Sequence, residues 1–437
     1  MSERDRRFRL SRDEAVHLSE QFGTPLYVLD EATIRARIQE FRSATAAVWP
    51  NFHISYASKA NGTLAVLAIA CQEGCTIDVA SEGEFRAALA AGVPAGQCCL
   101  HGNNKSREEI EFARSQSIGE IVIDNFVELE LHLSLPHESP TRYFLRVAPG
   151  VDPITHEKIS TGQEVTKFGF SLANGDALRA ATQCLESGLP LAGFHCHVGS
   201  QLMDAAAQEA GASALATLAL ELYRQTGYVT PMINAGGGLG VRYTNEQPES
   251  IASYVGKIAH AIRKAWPSDL PLPALGQEPG RALVAEAGVT LYEVGVVKLA
   301  GGTRFVIVNG GLADNPRPAL YGARYAVERV ASCSTPHSRE PRGGAARTVV
   351  SGRHCETDEL FPDVDLPEDL NRGDLLQVLT TGAYSSSMAS NYNRYPRPAS
   401  VLRRLDGSFV LVQRREAYDE MLMREQLPAE WRVRDEN

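Results

Sequence analysis

The feature that most constrains this chain is an alternation. From about residue 50 to 285, short β-rich runs take turns with Ala/Leu/Glu-rich segments. The runs include "HISYAS", "EIVIDN", "RYFLRVAPG", "LAGFHCHVGS" and "PMINAGGGLG". Between the last two, Asp204 to Thr226 reads as an Ala-rich helix that stops at Gly227. Parallel neighbours need a crossover between them, so strand–helix alternation implies βαβ units and a parallel sheet. Several such units in roughly 235 residues fit a (β/α)8 barrel. A doubly wound sheet is the other arrangement that periodicity admits.

After about Glu286 the pattern changes. "GVTLYEVGVVKLAGGTRFVIVNGG" reads as two strands around a Gly-Gly turn. "ARTVVSGRHCE", "DLLQVLTTGAY" and "SVLRRLDGSFVLVQRR" continue the β-rich texture, the last with Asp406-Gly407 as a hairpin turn. The expectation is an α/β barrel domain over 35–285 and a β-rich domain over 286–437. Residues 332–347, polar with Gly and Pro, read as a mobile surface loop. The tail after Ala417 reads as polar and helical.

Two domains also suit the length of 437 residues, which exceeds one ordinary core. A net charge of −10 argues against a nucleic-acid or anionic-membrane surface, which needs clustered Lys and Arg. No run reaches the length of a membrane span. The first 23 residues are charged and lack an apolar stretch, so no secretory signal is expected and the cytoplasm is the expected location. The eight cysteines include no CxxC pair and read as reduced thiols, with no structural metal expected.

In a parallel β/α barrel, functional groups sit where strands end. The strand ends here are "SKAN", "RVAPG", "HCHVGS", "NAGGGLG" and "QEPGR". Lys59 stands among small residues just after an apolar run. Such a lysine either snorkels to solvent or, with its charge desolvated, attacks a carbonyl to form a Schiff base. "GGGLG" (236–240) and "EPGR" (278–281) suit an anion: glycines let backbone N–H groups close on it, and Arg281 adds charge-assisted bonds. A tight turn is the plain alternative. His195 and His197 share one face of a strand, either as a buried structural pair or with an imidazole lying on a cofactor ring. No acid or imidazole at suitable spacing completes a metal site with them. Cys355 beside Glu356 is either a buried thiol or a proton donor.

Taken together, ten motifs in order resemble the fold-type III pyridoxal-phosphate-dependent decarboxylases, and within them the diaminopimelate decarboxylase family. The motifs are "YASKAN", "DVASEGE", "HGNNKS", "THEKISTGQEVTKFG", "HCHVGSQ", "GGGLG", "EPGR", "DNPRPALYGA", "CETDEL" and "GAYSSSMASNYNRYPRP". The resemblance implies a (β/α)8 barrel followed by a β-barrel domain that also takes in the N-terminal segment, residues 1–34 with "PLYVLD".

By the same resemblance, Lys59 holds pyridoxal 5'-phosphate, His197 stacks on its ring and Glu278 faces its pyridine nitrogen. Ser200, Gly238, Gly240, Gly280 and Arg281 match phosphate-binding positions. Arg281, Arg317, Tyr321 and Glu356 match substrate-binding positions, and Tyr384 touches both cofactor and substrate. Cys355 matches the proton donor. The implied assembly is a homodimer with shared active sites, Cys355 and Glu356 reaching in from the partner.

The implied reaction is decarboxylation of meso-2,6-diaminopimelate to L-lysine and CO2, the last step of lysine biosynthesis. A substrate with an amino acid group at each end needs arginine for a carboxylate and glutamate for an ammonium. The alternatives are a same-fold decarboxylase for another amino acid (ornithine, arginine or carboxynorspermidine) and a non-catalytic relative that binds the cofactor. A racemase fits less well, because Glu278 strengthens the electron sink. Three departures bear on substrate preference: "NGGLAD" with Asn309, "CETDE", and "SEGE".

Overall fold

A computed structural model describes residues 5–136, 139–151, 166–332, 347–356 and 359–431. The segment read as a mobile loop lies almost wholly outside the described residues, as does most of "THEKISTGQEVTKFG".

Strand β1 (Leu26–Asp30) comes before the barrel in sequence but is not part of it. The barrel is built from β2 (Phe52–Ala57), β3 (Thr76–Val79), β4 (Cys98–Leu100), β5 (Glu120–Ile123), β6 (Arg142–Ala148), β8 (Leu191–His195), β9 (Met232–Asn234) and β10 (Ala274–Gln277). A two-residue strand, β7 (Phe170–Ser171), pairs with the end of β6. All neighbours pair in parallel, and the β5–β6 and β10–β2 pairings close the ring. Closure decides against the doubly wound sheet. Its strands are short and nearly all buried, because helices cover them outside and side chains fill the middle.

The helices are delimited by ordinary caps. Ser81 and Ser106 accept from the backbone N–H three residues on, at the starts of helices Glu82–Ala90 and Arg107–Ser115. The Ala-rich helix runs from Ala206 to Thr226, and Gly227 ends it in the left-handed region (φ 74°).

The second domain is one eight-stranded sheet. Its strands are β11 (Gly288–Ala300), β12 (Thr303–Val308), β13 (Val327–Ala331), β14 (Arg347–Ser351), β15 (Leu375–Leu379), β16 (Ala399–Arg403) and β17 (Phe409–Gln413), together with β1. β1 lies between β11, antiparallel, and β16, parallel. All five of its residues are buried, so the N-terminal segment is integral to this sheet. Asp30 ends β1 and also caps the helix Glu31–Val48, its carboxylate accepting from Thr33 N–H at 2.8 Å. One residue thus passes the chain from the β domain into the barrel with no loop between. After Ala417 the described tail has a short α-helix, Tyr418–Leu422, and a single 3-10 turn, Ala429–Trp431.

Candidate active site

The C-terminal ends of the barrel strands and loops of the β domain enclose a cavity of about 960 Å³. Lys59 follows β2 in a single turn, Ser58–Ala60, whose other two residues are buried. Its own side chain is exposed, and it opens into the cavity. The small neighbours that made it look like a cation entering a core are the wall of the turn that presents it. The turn is held by Ser58 Oγ donating to Glu84 at 3.0 Å, and Glu84 also accepts from Ala80 N–H at 2.7 Å.

Tyr384 comes from the loop after β15 and closes on this turn. Its N–H donates to the Ala60 carbonyl at 2.7 Å, and Asn61 Nδ2 donates to the Gly382 carbonyl at 2.9 Å. Tyr384 has φ 60°, a conformation costly for a non-glycine residue, and these bonds hold it there. Its ring lies 4.7 Å from the Arg281 guanidinium carbon and 5.8 Å from that of Arg317.

The floor of the cavity is a cluster of buried ionisable groups. Glu278, from the loop after β10, is held at both oxygens. Asn234 Nδ2 donates to Oε1 at 2.8 Å, and His195 Nε2 meets Oε2 at 2.9 Å. The orientation of Asn234 follows from its Oδ1 accepting the Gly236 N–H at 2.9 Å, which leaves the amide NH2 for Glu278. His101 Nε2 lies 3.5 Å from Glu278 Oε1 and 3.6 Å from Asp78 Oδ1. The sequence spacing hid this gathering: the groups around His195 come from the ends of β3, β4 and β10, adjacent only in the closed barrel.

Burial alone would raise the Glu278 carboxyl. The imidazoles of His195 and His101 outweigh it and hold the group below the usual carboxylate range. Burial, then the Glu278 charge, pushes Asp78 up to about 6. Burial also works against His101, but the Glu278 and Asp78 carboxylates win and raise it. His195 is lowered to about 4 by burial. His197 is lowered to about 3, by burial and then by the Lys59 charge. At neutral pH the floor therefore carries an ionised Glu278 beside a neutral His195 and a neutral His197. A neutral His195 bonded to a carboxylate carries its proton on Nε2.

Ser200, Gly238, Gly280 and Arg281 lie together on one side of the cavity. Gly237 is required by a close approach: a Cβ there would sit 2.0 Å from the Glu278 carbonyl oxygen, so only glycine lets the "GGGLG" and "EPGR" loops touch. Gly238 has φ 143°, which also favours glycine. Arg281 donates to Ser200 Oγ at 2.9 Å and to the Tyr243 hydroxyl at 2.6 Å, while its buried Nε has no partner among the described residues. Gly240 differs from expectation. It is not among the residues lining the cavity, and its N–H is committed to the Leu202 carbonyl at 2.8 Å, so it shapes the loop from behind.

Arg317 and Tyr321, from the β-domain helix Arg317–Tyr321, form the far wall. Arg317 is buried and donates to the Tyr243 hydroxyl at 2.9 Å, whereas Tyr321 is exposed at the mouth. Cys355 and Glu356 do not line this cavity. Both are exposed, with the Cys355 N–H donating to Asn393 and Glu356 accepting from the Tyr392 hydroxyl. The motif reading gave no role to Asp78, Glu84, His101, Arg146, Asn234 or Tyr243, all within or beside the site. His101 directly follows β4, the signal that would have found it, whereas Tyr243 lies well beyond the end of β9 and carries no such signal.

The residues suit a pyridoxal phosphate ligand. One cavity presents a reachable lysine, an ionised carboxylate on the floor, a neutral imidazole, and a Ser/Gly/Arg side whose Arg281 Nε is unpaired among the described residues. The model of the pyridoxal-dependent decarboxylase pyridoxal-binding domain matches residues 31–285. Fold and site thus define a pyridoxal-dependent carboxy-lyase. Diaminopimelate decarboxylase from Bacillus subtilis (strain 168) is 42% identical over 416 residues, 94% of this chain and 93% of that protein. The enzyme from Actinosynnema pretiosum subsp. auranticum is 43% identical over 419 residues, 94% and 91% respectively. The crystal structure of diaminopimelate decarboxylase from M. jannaschii in complex with L-lysine superposes with a TM-score of 0.86 at 32% identity, covering 97% of each chain. The chain belongs to the diaminopimelate decarboxylase family.

Proposed function

We propose that this chain removes the carboxylate at one end of meso-2,6-diaminopimelate, yielding L-lysine and CO2. The observation that carries the reading is the shared cavity: Lys59 and Glu278 at the floor face the same space as Arg281 and Arg317. A floor of this kind serves any amino acid, whereas two arginines above it suit a substrate that brings a second carboxylate.

Lys59 would hold the cofactor's aldehyde through its amine. When bound, pyridoxal phosphate supplies the electron sink for the pair left at Cα as CO2 departs. Glu278, kept ionised, would favour the protonated form of the pyridine nitrogen. His197, neutral, offers a flat uncharged face to the ring. Ser200, Gly238, Gly280 and Arg281 hold the phosphate. Arg317 and Arg281 fix the far carboxylate, with Tyr321 at the mouth and Tyr384 between substrate and Lys59 turn. Orientation and fixed charge are the protein's contribution.

Cys355 and Glu356 serve the cavity of a second copy in a homodimer, Cys355 giving the proton to Cα and Glu356 receiving the far ammonium. Their exposure, away from their own chain's cavity, supports this assignment. The cytoplasm is the proposed working location.

Purified, cofactor-loaded protein is expected to release CO2 and L-lysine from meso-diaminopimelate, with the visible cofactor band lost in Lys59→Ala. Loaded protein that yields neither product contradicts the reading.

A further inference from the structure

Tyr243 stands in the loop between β9 and the helix Ile251–Ala265, and nothing in the motif reading pointed to it. It is 4% exposed yet lines the cavity. Its backbone is fixed from three directions. Its N–H donates to Glu246 at 3.1 Å, and its carbonyl accepts from Arg7 Nη1 at 2.9 Å and from Ala326 N–H at 3.3 Å. Its ring meets Tyr325 edge-on at 5.1 Å. The side chain therefore has little freedom.

The hydroxyl joins two arginines from different domains. Arg281 Nη1 donates to it at 2.6 Å and Arg317 Nη1 at 2.9 Å. A guanidinium only donates, so the phenolic oxygen must accept both bonds. Its lone pairs are then occupied, and the one remaining function of the hydroxyl is to donate its own proton. Among the described residues no hydrogen bond uses that proton. Two cations and an O–H donor converging on one cavity form a receptor for a planar, bidentate anion.

We propose that Tyr243 is a specificity-determining residue: it sets the spacing of Arg281 and Arg317 and donates its proton to the carboxylate at the far end of the substrate. This rests on the proposed diaminopimelate reading. Arg281 also touches Ser200 on the phosphate side, so the anion served by Tyr243 could instead be the cofactor's phosphate, and the test separates the two.

The experiment compares the holoenzyme with Tyr243→Phe, which keeps the ring against Tyr325. Two inhibitors are used: L-lysine, which retains the far amino acid end, and 1,5-diaminopentane, the same skeleton without a carboxylate. The expected result is a Ki for L-lysine raised about tenfold or more, with the Ki for the diamine changed less than about twofold. KM for meso-diaminopimelate rises more than kcat falls, and the cofactor band persists on dilution as in the unaltered protein. Equal weakening of both inhibitors, no change in either, or cofactor loss on dilution overturns the proposal. Failure of the unaltered enzyme to turn over meso-diaminopimelate would instead sink the functional reading, and the contrast between L-lysine and the diamine, then read as Kd by calorimetry, would still report on Tyr243.

Discussion

The floor and the rim of the cavity are built on different plans. The floor comes wholly from barrel strand ends; Glu278 there is bonded to both His195 and Asn234, and Asp78 is buried beside them. The rim mixes domains: Arg281 and Tyr243 come from the barrel, Arg317, Tyr321 and Tyr384 from the β domain, and the exposed Cys355 and Glu356 line neither. A closed parallel barrel fixes its strand ends rigidly, so the floor can hold charges preorganised around one reacting centre. A wall shared between domains can change its residues without disturbing that centre. On the proposed function, the floor would account for bond breaking and the rim for the choice of substrate.

Variants should separate these two regions. The largest effect is expected for Lys59→Ala, which should abolish the visible cofactor band and lower CO2 release by about 10³-fold or more. Next comes Glu278→Gln, expected to retain the band while kcat falls about 10²-fold, because only the charge facing the ring is removed. A loss of KM with kcat intact would place Glu278 on the wrong side of the comparison. On the rim, Arg317→Lys should raise KM for meso-diaminopimelate about tenfold and leave the band unchanged, since an ammonium cannot reproduce the bidentate fork. Stopped assays at varied substrate, read with absorbance spectra, check all three.

The two regions also differ in how legible they were. The βαβ alternation followed from periodicity, since "HISYAS" through "PMINAGGGLG" spells alternating units, while the choice of a barrel over a doubly wound sheet needed the ordered motifs and the closing strand pairs. Lys59, His197, Glu278, Arg281 and Arg317 are carried by contiguous motifs, and the fold brings these five to one cavity. His101 and Asn234 were not singled out, because their partners at Glu278 lie far away in sequence and meet them only through barrel closure. Gly240 looked equivalent to Gly238 in "GGGLG", but its N–H turns back to Leu202. The buried setting expected for Lys59 belongs to its neighbours Ser58 and Ala60.

A shared site in a dimer makes a prediction about mixing. Lys59→Ala and Cys355→Ala homodimers should each be nearly inactive. Unfolded and refolded together in equal amounts, they should recover about a quarter of full activity, because half the dimers then carry one intact site. No recovery would assign Cys355 to its own chain's cavity.

The smallest expected effect concerns pH. His195 is held at about 4 in the folded protein, against an ordinary 6.5, chiefly by burial. Between those values the unfolded chain binds a proton that the folded chain does not, so stability rises with pH there and is lost as the pH falls below 6.5. Urea unfolding at pH 6.5 and 4.5 should show a drop that is smaller in His195→Gln by on the order of 1–2 kcal/mol. An unchanged drop would mean that the floor does not keep this imidazole neutral.

The division between floor and rim is tested most directly by offering the loaded enzyme meso-diaminopimelate, L-ornithine and L-arginine in separate CO2-release assays. The account predicts a kcat/KM for meso-diaminopimelate about 10³-fold or more above the other two, with that ratio falling in Arg317→Lys and unchanged in Glu278→Gln. Comparable rates for the three substrates, or a ratio that moves with Glu278 and not with Arg317, would contradict it.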